Sequence, residues 1–164
     1  MAEMQVTVRD VTDVGPDTIA MTLSTPEGFD ANPGEFVLVR ATVDASGDDD
    51  SGADASDGGE ELARHYTLSS PTVEETFEIT VGIDPDGDLT PWLAEREPGD
   101  ELTIEGPFGN VTYAGGDDVV VLAGGPGVGP AVGIGERALS TRNDAAIVYL
   151  DGAPAHENRL ATLS

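Results

Sequence analysis

Alternation of apolar and polar residues over roughly the first 113 positions predicts a series of short antiparallel strands. Met4, Val6 and Val8 alternate with polar residues, and similar runs follow at residues 19–23, 35–43, 64–69, 76–83 and 101–105, the last closed by Gly106-Pro107. A short helix is predicted over residues 89–95, because Pro91 suits a first helical turn. Six or so strands in this order predict a six-stranded antiparallel β-barrel that is closed or nearly closed.

The pattern changes after residue 117. Residues 118–123 form a continuous apolar run, as expected for a strand buried on both faces of a parallel sheet. The segment GGPGVGP (124–130) predicts a turn into a helix over 131–141, followed by a second strand at 145–150 and a helix at 155–163. This order predicts the opening of a Rossmann-like α/β domain.

Two domains are therefore expected, at residues 1–114 and 117–164. A parallel sheet of two strands buries too little surface to complete a nucleotide-binding domain. We expect the chain to be truncated at its C-terminus; the alternative is a reduced protein whose sheet is completed by a partner chain.

An acidic segment interrupts the β pattern. Residues 44–61 (DASGDDDSGADASDGGEE) contain eight carboxylates and no apolar residue larger than Ala. We interpret this segment as a solvated surface loop. A calcium site is the alternative, but the EF-hand spacing of Gly at position six and Glu at position twelve is not met.

The formal net charge is −25, and all 7 basic residues are Arg. Such a polyanion repels nucleic acids and anionic lipids, so neither is expected as a partner. No apolar run approaches the roughly 18 residues of a membrane span, and the first residues show no signal-peptide pattern, so a cytoplasmic protein is expected. We interpret the charge as a halophilic adaptation, because molar salt shortens the Debye length to about 3 Å. The absence of Cys excludes a Cys-ligated iron–sulfur cluster or zinc site in this chain.

The segment RHYTLSS (64–70) carries the most specific chemistry. On a strand, Arg64 and Tyr66 point to one side and Thr67 to the other. A guanidinium pairs well with a phosphate, and a Tyr ring can stack on a flat heterocycle. Spacing alone leaves open a barrel strand with a solvent-exposed Arg and a core Tyr.

This segment resembles the flavin motif R-x-Y-(S/T)-x-x-S of the ferredoxin–NADP(+) reductase superfamily. Three further segments, PGEF (33–36), GDLT (87–90) and GPFG (106–109), are similar to motifs of that family and occur in its order. The segment GGPGVGP resembles the family's nicotinamide-nucleotide turn.

The resemblance implies a role for each matching position. Arg64 would bind the pyrophosphate of FAD, Tyr66 would lie along the isoalloxazine, and Thr67 would bond near its N5 atom, which makes Tyr66 and Thr67 the residues closest to the chemistry. The implied cofactor-binding set is completed by His65 (toward adenine), Ser70, Thr80, Val81, Gly82, Ile83, Asp88, Leu89 and Thr90. Thr90 as a plain helix-start residue is an equally good local alternative.

The same resemblance assigns Gly124, Gly125, Pro126 and Gly127 to nicotinamide-nucleotide binding. Pro126 departs from the Thr or Ser of relatives. Gly152 stands where NADP-specific relatives often have Arg, and the adjacent Asp151 would repel a 2′-phosphate, so NADH is favoured over NADPH.

The function implied is an FAD-dependent oxidoreductase that transfers hydride between NAD(P)H and flavin N5 and exchanges single electrons with a separate carrier such as a ferredoxin. One alternative is an FAD-binding module or fragment without complete NAD(P)H turnover; another is a non-flavin β-barrel interaction protein. His156 is interpreted as a solvated surface group. Two His without Cys predict no metal site.

Overall fold

The computed structural model describes residues 3–43, 60–124, 127–150 and 155–163. Within them one antiparallel sheet comprises six strands, β1 (Met4–Gly15), β2 (Thr18–Ser24), β3 (Phe36–Val43), β4 (Glu60–Thr67), β5 (Thr76–Gly82) and β6 (Glu101–Phe108). The strand order is β4-β3-β6-β1-β2-β5, and helix α1 (Leu89–Ala94) follows β5. The predicted six-stranded antiparallel sheet is confirmed.

Alternate residues of these strands share one core. The almost fully buried side chains include Val6 and Val8 of β1 and Val37 and Val39 of β3, and their sequence neighbours are more exposed. Full burial of such an aliphatic side chain stabilises the fold by about 1.5–3 kcal/mol. The alternation in the sequence therefore identifies the buried face of the sheet.

Strand β4 begins earlier than its sequence pattern predicts. Glu60 and Glu61, the last two residues of the predicted acidic loop, belong to the strand. The Glu61 carboxylate accepts a hydrogen bond from Arg40 on β3 (2.9 Å), which offsets the charge that made a strand improbable there. The rest of that loop, residues 44–59, lies outside the described residues.

Strand β6 also extends past its predicted end. It continues through Gly106 and Pro107 to Phe108, which pairs with Phe36. A register shift separates that pair from the next one, and a proline without an N–H is tolerated where the ladder is already interrupted. The prediction that Gly106-Pro107 closes the strand is therefore wrong.

The C-terminal part is a two-stranded parallel sheet, β7 (Val119–Ala123) and β8 (Ala145–Tyr149), with helices α2 (Val128–Ser140) and α3 (Glu157–Thr162). The alternation of strands and helices agrees with the prediction, but α2 begins three residues early. Pro130 does not prevent this, because the first turn of a helix uses no backbone N–H within the helix. No helix in the described part of the chain has the length and apolar character to cross a membrane.

The parallel strands are covered on one face only, contrary to the prediction that they are buried on both. Val120 is 69% exposed and Leu122 is 72% exposed on β7, and Val148 on β8 is 45% exposed. Helix α2 contacts both strands, and within the described residues no element covers the face that these three side chains share. An apolar run thus indicates a strand that can be buried on both sides, whereas its actual burial depends on what packs there.

Candidate functional site

The two edge strands of the six-stranded sheet, β4 and β5, meet at one point. Leu68, directly after β4, forms an antiparallel bridge with Ile79, and the Ser69 N–H donates to the Glu78 carbonyl (2.9 Å). Among the described residues no further ladder pairing joins the two strands. The strands therefore separate on the N-terminal side of Leu68.

We call this opening the seam; residues 64–67 of β4 and 80–82 of β5 border it. In the register of the bridge, Thr67 would lie opposite Thr80 and Tyr66 opposite Val81. Backbone groups alternate between the two edges of a strand, so those of Thr80 point the same way as the Glu78 carbonyl, toward β4. The seam brings two groups of residues predicted to bind flavin to the two sides of one opening.

Arg64 and Tyr66 share the inner face of β4. They lie opposite Val39 and Val37, whereas Thr67 lies opposite Phe36 on the other face, which confirms the predicted sides. Tyr66 is half-buried and packs against the core. Burial raises the pKa of its phenol above the ordinary value of 10.0, and the charge of Arg64 opposes this only in part. Tyr66 is therefore protonated at neutral pH, so it offers a neutral ring surface and cannot act as a base.

The Arg64 guanidinium is exposed and donates to the neighbouring Ala63 carbonyl (2.8 Å). Within the described residues no carboxylate forms an ion pair with it, whereas Arg40 and Arg159 each pair with two or more. In a chain with a net charge of −25, a cation without such a partner is suited to an anionic ligand.

The outer face of β4 borders an open groove of about 400 Å³, lined by Phe36, His65, Thr67 and Phe108. The rings of Phe36 and His65 meet edge to face, with centroids 5.2 Å apart, and Phe108 lies 5.8 Å from Phe36. The segments PGEF and GPFG, distant in sequence, thus lie together beside RHYTLSS. The two Phe residues were in those quoted motifs, but their shared groove was not foreseen.

Several predicted contacts have side chains that are already engaged. The Ser70 hydroxyl accepts the Glu78 N–H (3.1 Å), and the Thr90 hydroxyl accepts the Asp84 N–H (2.8 Å). Val81 and Leu89 point into the core. Ser70, Leu89 and Thr90 can offer a ligand their backbone groups more readily than their side chains, whereas the backbone of Val81 also pairs with β2.

The remaining predicted residues lie at the ends of β5 and α1 and in the glycine-rich turn. Gly82 ends β5, the Ile83 N–H donates to the Asp17 carbonyl (2.7 Å), and exposed Asp88 precedes α1 without a side-chain cap. The turn between β7 and α2 is held by a hydrogen bond from the Gly127 N–H to the Gly124 carbonyl (3.1 Å). Gly125, Pro126, Asp151 and Gly152 lie outside the described residues.

Thr80 faces the C-terminal unit with its side chain. Its hydroxyl is 2.8 Å from Nε2 of His156, which is 4% exposed, so the interpretation of His156 as a solvated surface group is wrong. Burial, and secondarily the charge of Arg159, lowers the pKa of His156 to about 4, while Glu78 opposes the shift. His156 has a φ of 55°, in the left-handed region. No local pattern in the sequence indicates either property.

Comparisons with known proteins agree with this geometry. Residues 53–113 match the family described as the oxidoreductase FAD-binding domain. The glycine betaine monooxygenase reductase subunit of Chromohalobacter salexigens is 33% identical over 132 residues, which cover 78% of this chain and 32% of that protein. The chain belongs to the ferredoxin–NADP(+) reductase superfamily. It spans about a third of the length of such curated relatives.

Solved structures of the superfamily share the fold. The ferredoxin NADP+ reductase of Neisseria gonorrhoeae, with bound FAD and NADP, has a TM-score of 0.74 and 22% identity; the match covers 100% of this chain and 65% of that one. The Amycolatopsis cytochrome P450 reductase has a TM-score of 0.73 and 24% identity, with 99% and 48% covered. The match over nearly the whole chain includes the C-terminal unit.

Sequence reasoning missed the polar residues that join the two units. They are Ser69, Glu78, Glu136, His156 and Arg159, which we call the Arg159 cluster. Their members come from four separate segments of this superfamily fold, and no spacing rule relates them. Only the tertiary contacts identify the cluster.

Proposed function

We propose that this chain is the flavin-binding part of an FAD-dependent reductase that transfers hydride between NAD(P)H and the flavin and single electrons to or from a separate carrier. The seam is the observation that carries the proposal, because it places RHYTLSS opposite residues 80–82. We assign FAD binding to residues 1–114, as a barrel whose two edge strands meet at Leu68 and Ile79 and separate at the seam. Residues 117–164 are the start of a Rossmann-like NAD(P)-binding domain.

The residues of the seam fit FAD. Arg64, which forms no ion pair within the described residues, supplies a cation for the diphosphate, and Tyr66 supplies a neutral aromatic surface on the same face of β4. Thr67 supplies a hydroxyl on the other face, in the outer groove. Backbone groups of Thr80 and Gly82 would line the opposite edge, whereas those of Val81 and Ile83 point toward β2, so these two residues would flank the flavin. Backbone groups of Asp88, Leu89 and Thr90 would approach the diphosphate. Ser70 would act by fixing β4 to β5.

FAD, when bound, supplies the ring system that exchanges hydride with a nicotinamide and releases electrons one at a time. The chain itself provides position and electrostatics. Tyr66 is un-ionised at neutral pH and so cannot accept a proton; its assigned role is to bind the flavin ring. His65 would contact the adenine from the outer groove.

The nicotinamide nucleotide would bind at the turn from Gly124 to Gly127, including Gly125 and Pro126. The given sequence contains no Cys, so a Cys-ligated iron–sulfur acceptor would lie outside these 164 residues. The ferredoxin reductase in carbazole 1,9a-dioxygenase, which has a TM-score of 0.69, and the glycine betaine monooxygenase reductase subunits suggest a ferredoxin or an oxygenase component as the carrier. We further propose a cytoplasmic, halophilic protein, on the basis of the charge.

A second candidate is an FAD-binding module without complete NAD(P)H turnover. The exposed apolar face of the parallel sheet favours it, because a sheet with one open face forms only part of a doubly wound domain. The alternative hypothesis of a non-flavin interaction protein is not supported, because residues 53–113 match an FAD-binding domain.

Titration with FAD in 2 M KCl, followed by visible absorbance, tests the flavin site. The wild-type chain is expected to bind FAD, and Arg64→Gln to weaken binding roughly 10–100-fold, since a charge-assisted hydrogen bond contributes about 1.5–3 kcal/mol. Arg9→Gln, an exposed arginine on β1, makes the same charge change and should bind like wild type. A colourless protein that ignores FAD overturns the proposal. Dye reduction by NADH then separates the reductase from the module.

A further inference from the structure

Arg159 of α3 joins elements of both units. Its guanidinium donates to the Glu78 carboxylate on β5 (2.6 Å), to the Glu136 carboxylate on α2 (2.6 Å) and to the Ser69 carbonyl after β4 (2.6 Å). The Ser69 hydroxyl donates to the same Glu78 oxygen (2.6 Å). One side chain therefore connects α3, α2 and both strands that border the seam, at the point where those strands meet.

The surrounding contacts leave little room between the units. A Cβ on Gly129 would lie 2.8 Å from Cβ of Thr80, and one on Gly133 would lie 3.0 Å from the Ser69 carbonyl oxygen. The first turn of α2, which continues from the glycine-rich turn, thus contacts β5 beside the seam. The His156 N–H donates to the Val14 carbonyl of β1 (2.8 Å), which adds a second connection from the start of α3.

We propose that Arg159 is a positioning residue that holds the glycine-rich start of α2 in a fixed place relative to the seam. Its function is to set how a nicotinamide bound at the turn approaches a flavin bound in the seam. The effect on the approach of nicotinamide to flavin rests on the proposed function, whereas the connection between the two units rests on the hydrogen bonds of Arg159 alone.

The chemistry of the cluster suits this role. A planar guanidinium can bind three acceptors at fixed angles, whereas an ammonium presents a point charge. The side chains of Arg159 and Glu78 are 26% and 22% exposed, so salt screens their interaction less than it screens surface pairs. The connection would therefore persist at the ionic strength that this chain is proposed to require.

Three variants of the FAD-loaded chain test the proposal: Arg159→Gln, Arg159→Lys and the control Arg142→Gln. Arg142 is an exposed arginine of the same unit, so its substitution makes the same charge change without touching the cluster. Amide hydrogen exchange reports the geometry at Ser69 and His156, whose N–H groups bond to Glu78 and Val14. Anaerobic reduction of the flavin by saturating NADH reports the consequence.

Arg159→Gln should speed exchange at both amides at least tenfold and lower the limiting reduction rate by a similar factor, while the Kd for FAD changes less than threefold. Arg159→Lys should recover part of the rate, and Arg142→Gln should match wild type. Exchange in Arg159→Gln equal to that of the control overturns the proposal, as does faster exchange with an unchanged reduction rate.

Measurements on the wild-type chain distinguish a failure of the proposed function from a failure of the positioning role. If it binds no FAD, the proposed function fails, and the exchange data alone then decide whether Arg159 fixes the two units. If it binds FAD that NADH does not reduce, the positioning role for nicotinamide is overturned together with that half of the proposed function, while the flavin site stands.

Discussion

The imidazole of His156 is neutral because of its location. It lies between the Thr80 hydroxyl of β5, the Arg159 guanidinium of α3 and the nearby Glu78 carboxylate. Burial and the positive charge both oppose protonation, and their combined effect exceeds the attraction of the carboxylate. A single residue thus makes the contact between the two units sensitive to pH.

We predict that acid weakens the fold through His156. Its pKa is about 4 in the fold and 6.5 when unperturbed, so below pH 6.5 the unfolded chain binds a proton that the folded chain does not. The free energy of unfolding should fall as the pH drops, by about 1–2 kcal/mol between pH 6.5 and 5. Denaturant titrations of wild type and His156→Gln in 2 M KCl measure this. The two should have the same pH slope above pH 7, and an equally steep slope in the variant at pH 5–6.5 contradicts the prediction.

At the scale of elements, helix α2 lies close to the six-stranded sheet because it presents glycines to it. Gly129 and Gly133 are four residues apart and lie on one face of the helix. Glycine weakens a helix by about 1 kcal/mol relative to alanine, so a helix that retains it at both positions gives up intrinsic stability for close packing. In the parallel strands, by contrast, the side chains that suit close packing are exposed on one face.

We expect Gly133→Ala to destabilise the chain in spite of its better helix propensity. The added Cβ would lie 3.0 Å from the Ser69 carbonyl oxygen, a backbone atom that cannot move as a flexible side chain would. Overpacking of this kind costs about 1–3 kcal/mol. Less the gain of about 1 kcal/mol in helix propensity, the net change in the free energy of unfolding, measured by denaturant titration without FAD, should be a loss of up to about 2 kcal/mol. Gly82→Ala, where nothing lies within 4 Å, is the matched control and should lose nothing. A gain in Gly133→Ala shows that the helix adapts.

At the scale of the whole molecule, the excess of negative charge determines how stability depends on salt. With 32 acidic residues against 7 basic ones, the folded chain concentrates negative charge on a small surface. The sheet core does not depend on salt, but the repulsion among surface carboxylates does. Stability should therefore follow ionic strength more steeply than in a chain of balanced charge.

The midpoint of thermal unfolding should rise by roughly 10 °C or more between 0.1 M and 2 M KCl, as the Debye length shortens from about 10 Å to less than 3 Å. Differential scanning calorimetry at pH 7.5 measures the shift. Sucrose at matched osmolality is the control, because it is excluded from the protein surface without screening charge. A midpoint that is the same at both salt concentrations argues against halophilic adaptation.

The local sequence pattern was sufficient to predict much of the fold and of the candidate site. The alternation at Val6 and Val8, or at Val37 and Val39, identifies the core face because strand periodicity is a property of neighbouring residues. The segment RHYTLSS and its accompanying motifs predicted the superfamily, because each motif is a short run of neighbouring residues. The sides of β4 on which Arg64 and Thr67 lie also follow from spacing alone.

Other features were decided by contacts between distant residues. Arg40 allows the strand to include Glu61, and the pairing of Phe36 with Phe108 carries β6 through Pro107. The burial of His156 depends on residues far away in the sequence.

By itself, the sequence determined which segments form strands and helices, the flavin-type motifs and the electrostatic character of this protein. Strand and helix patterns and motifs depend on residues close together in the chain, and net charge depends on composition alone. Tertiary structure alone decided where β4 and β5 separate, which apolar face stays uncovered, and that Arg159 joins Ser69, Glu78 and Glu136. These features are relations between elements, and packing and hydrogen bonding fix them only when the chain has folded.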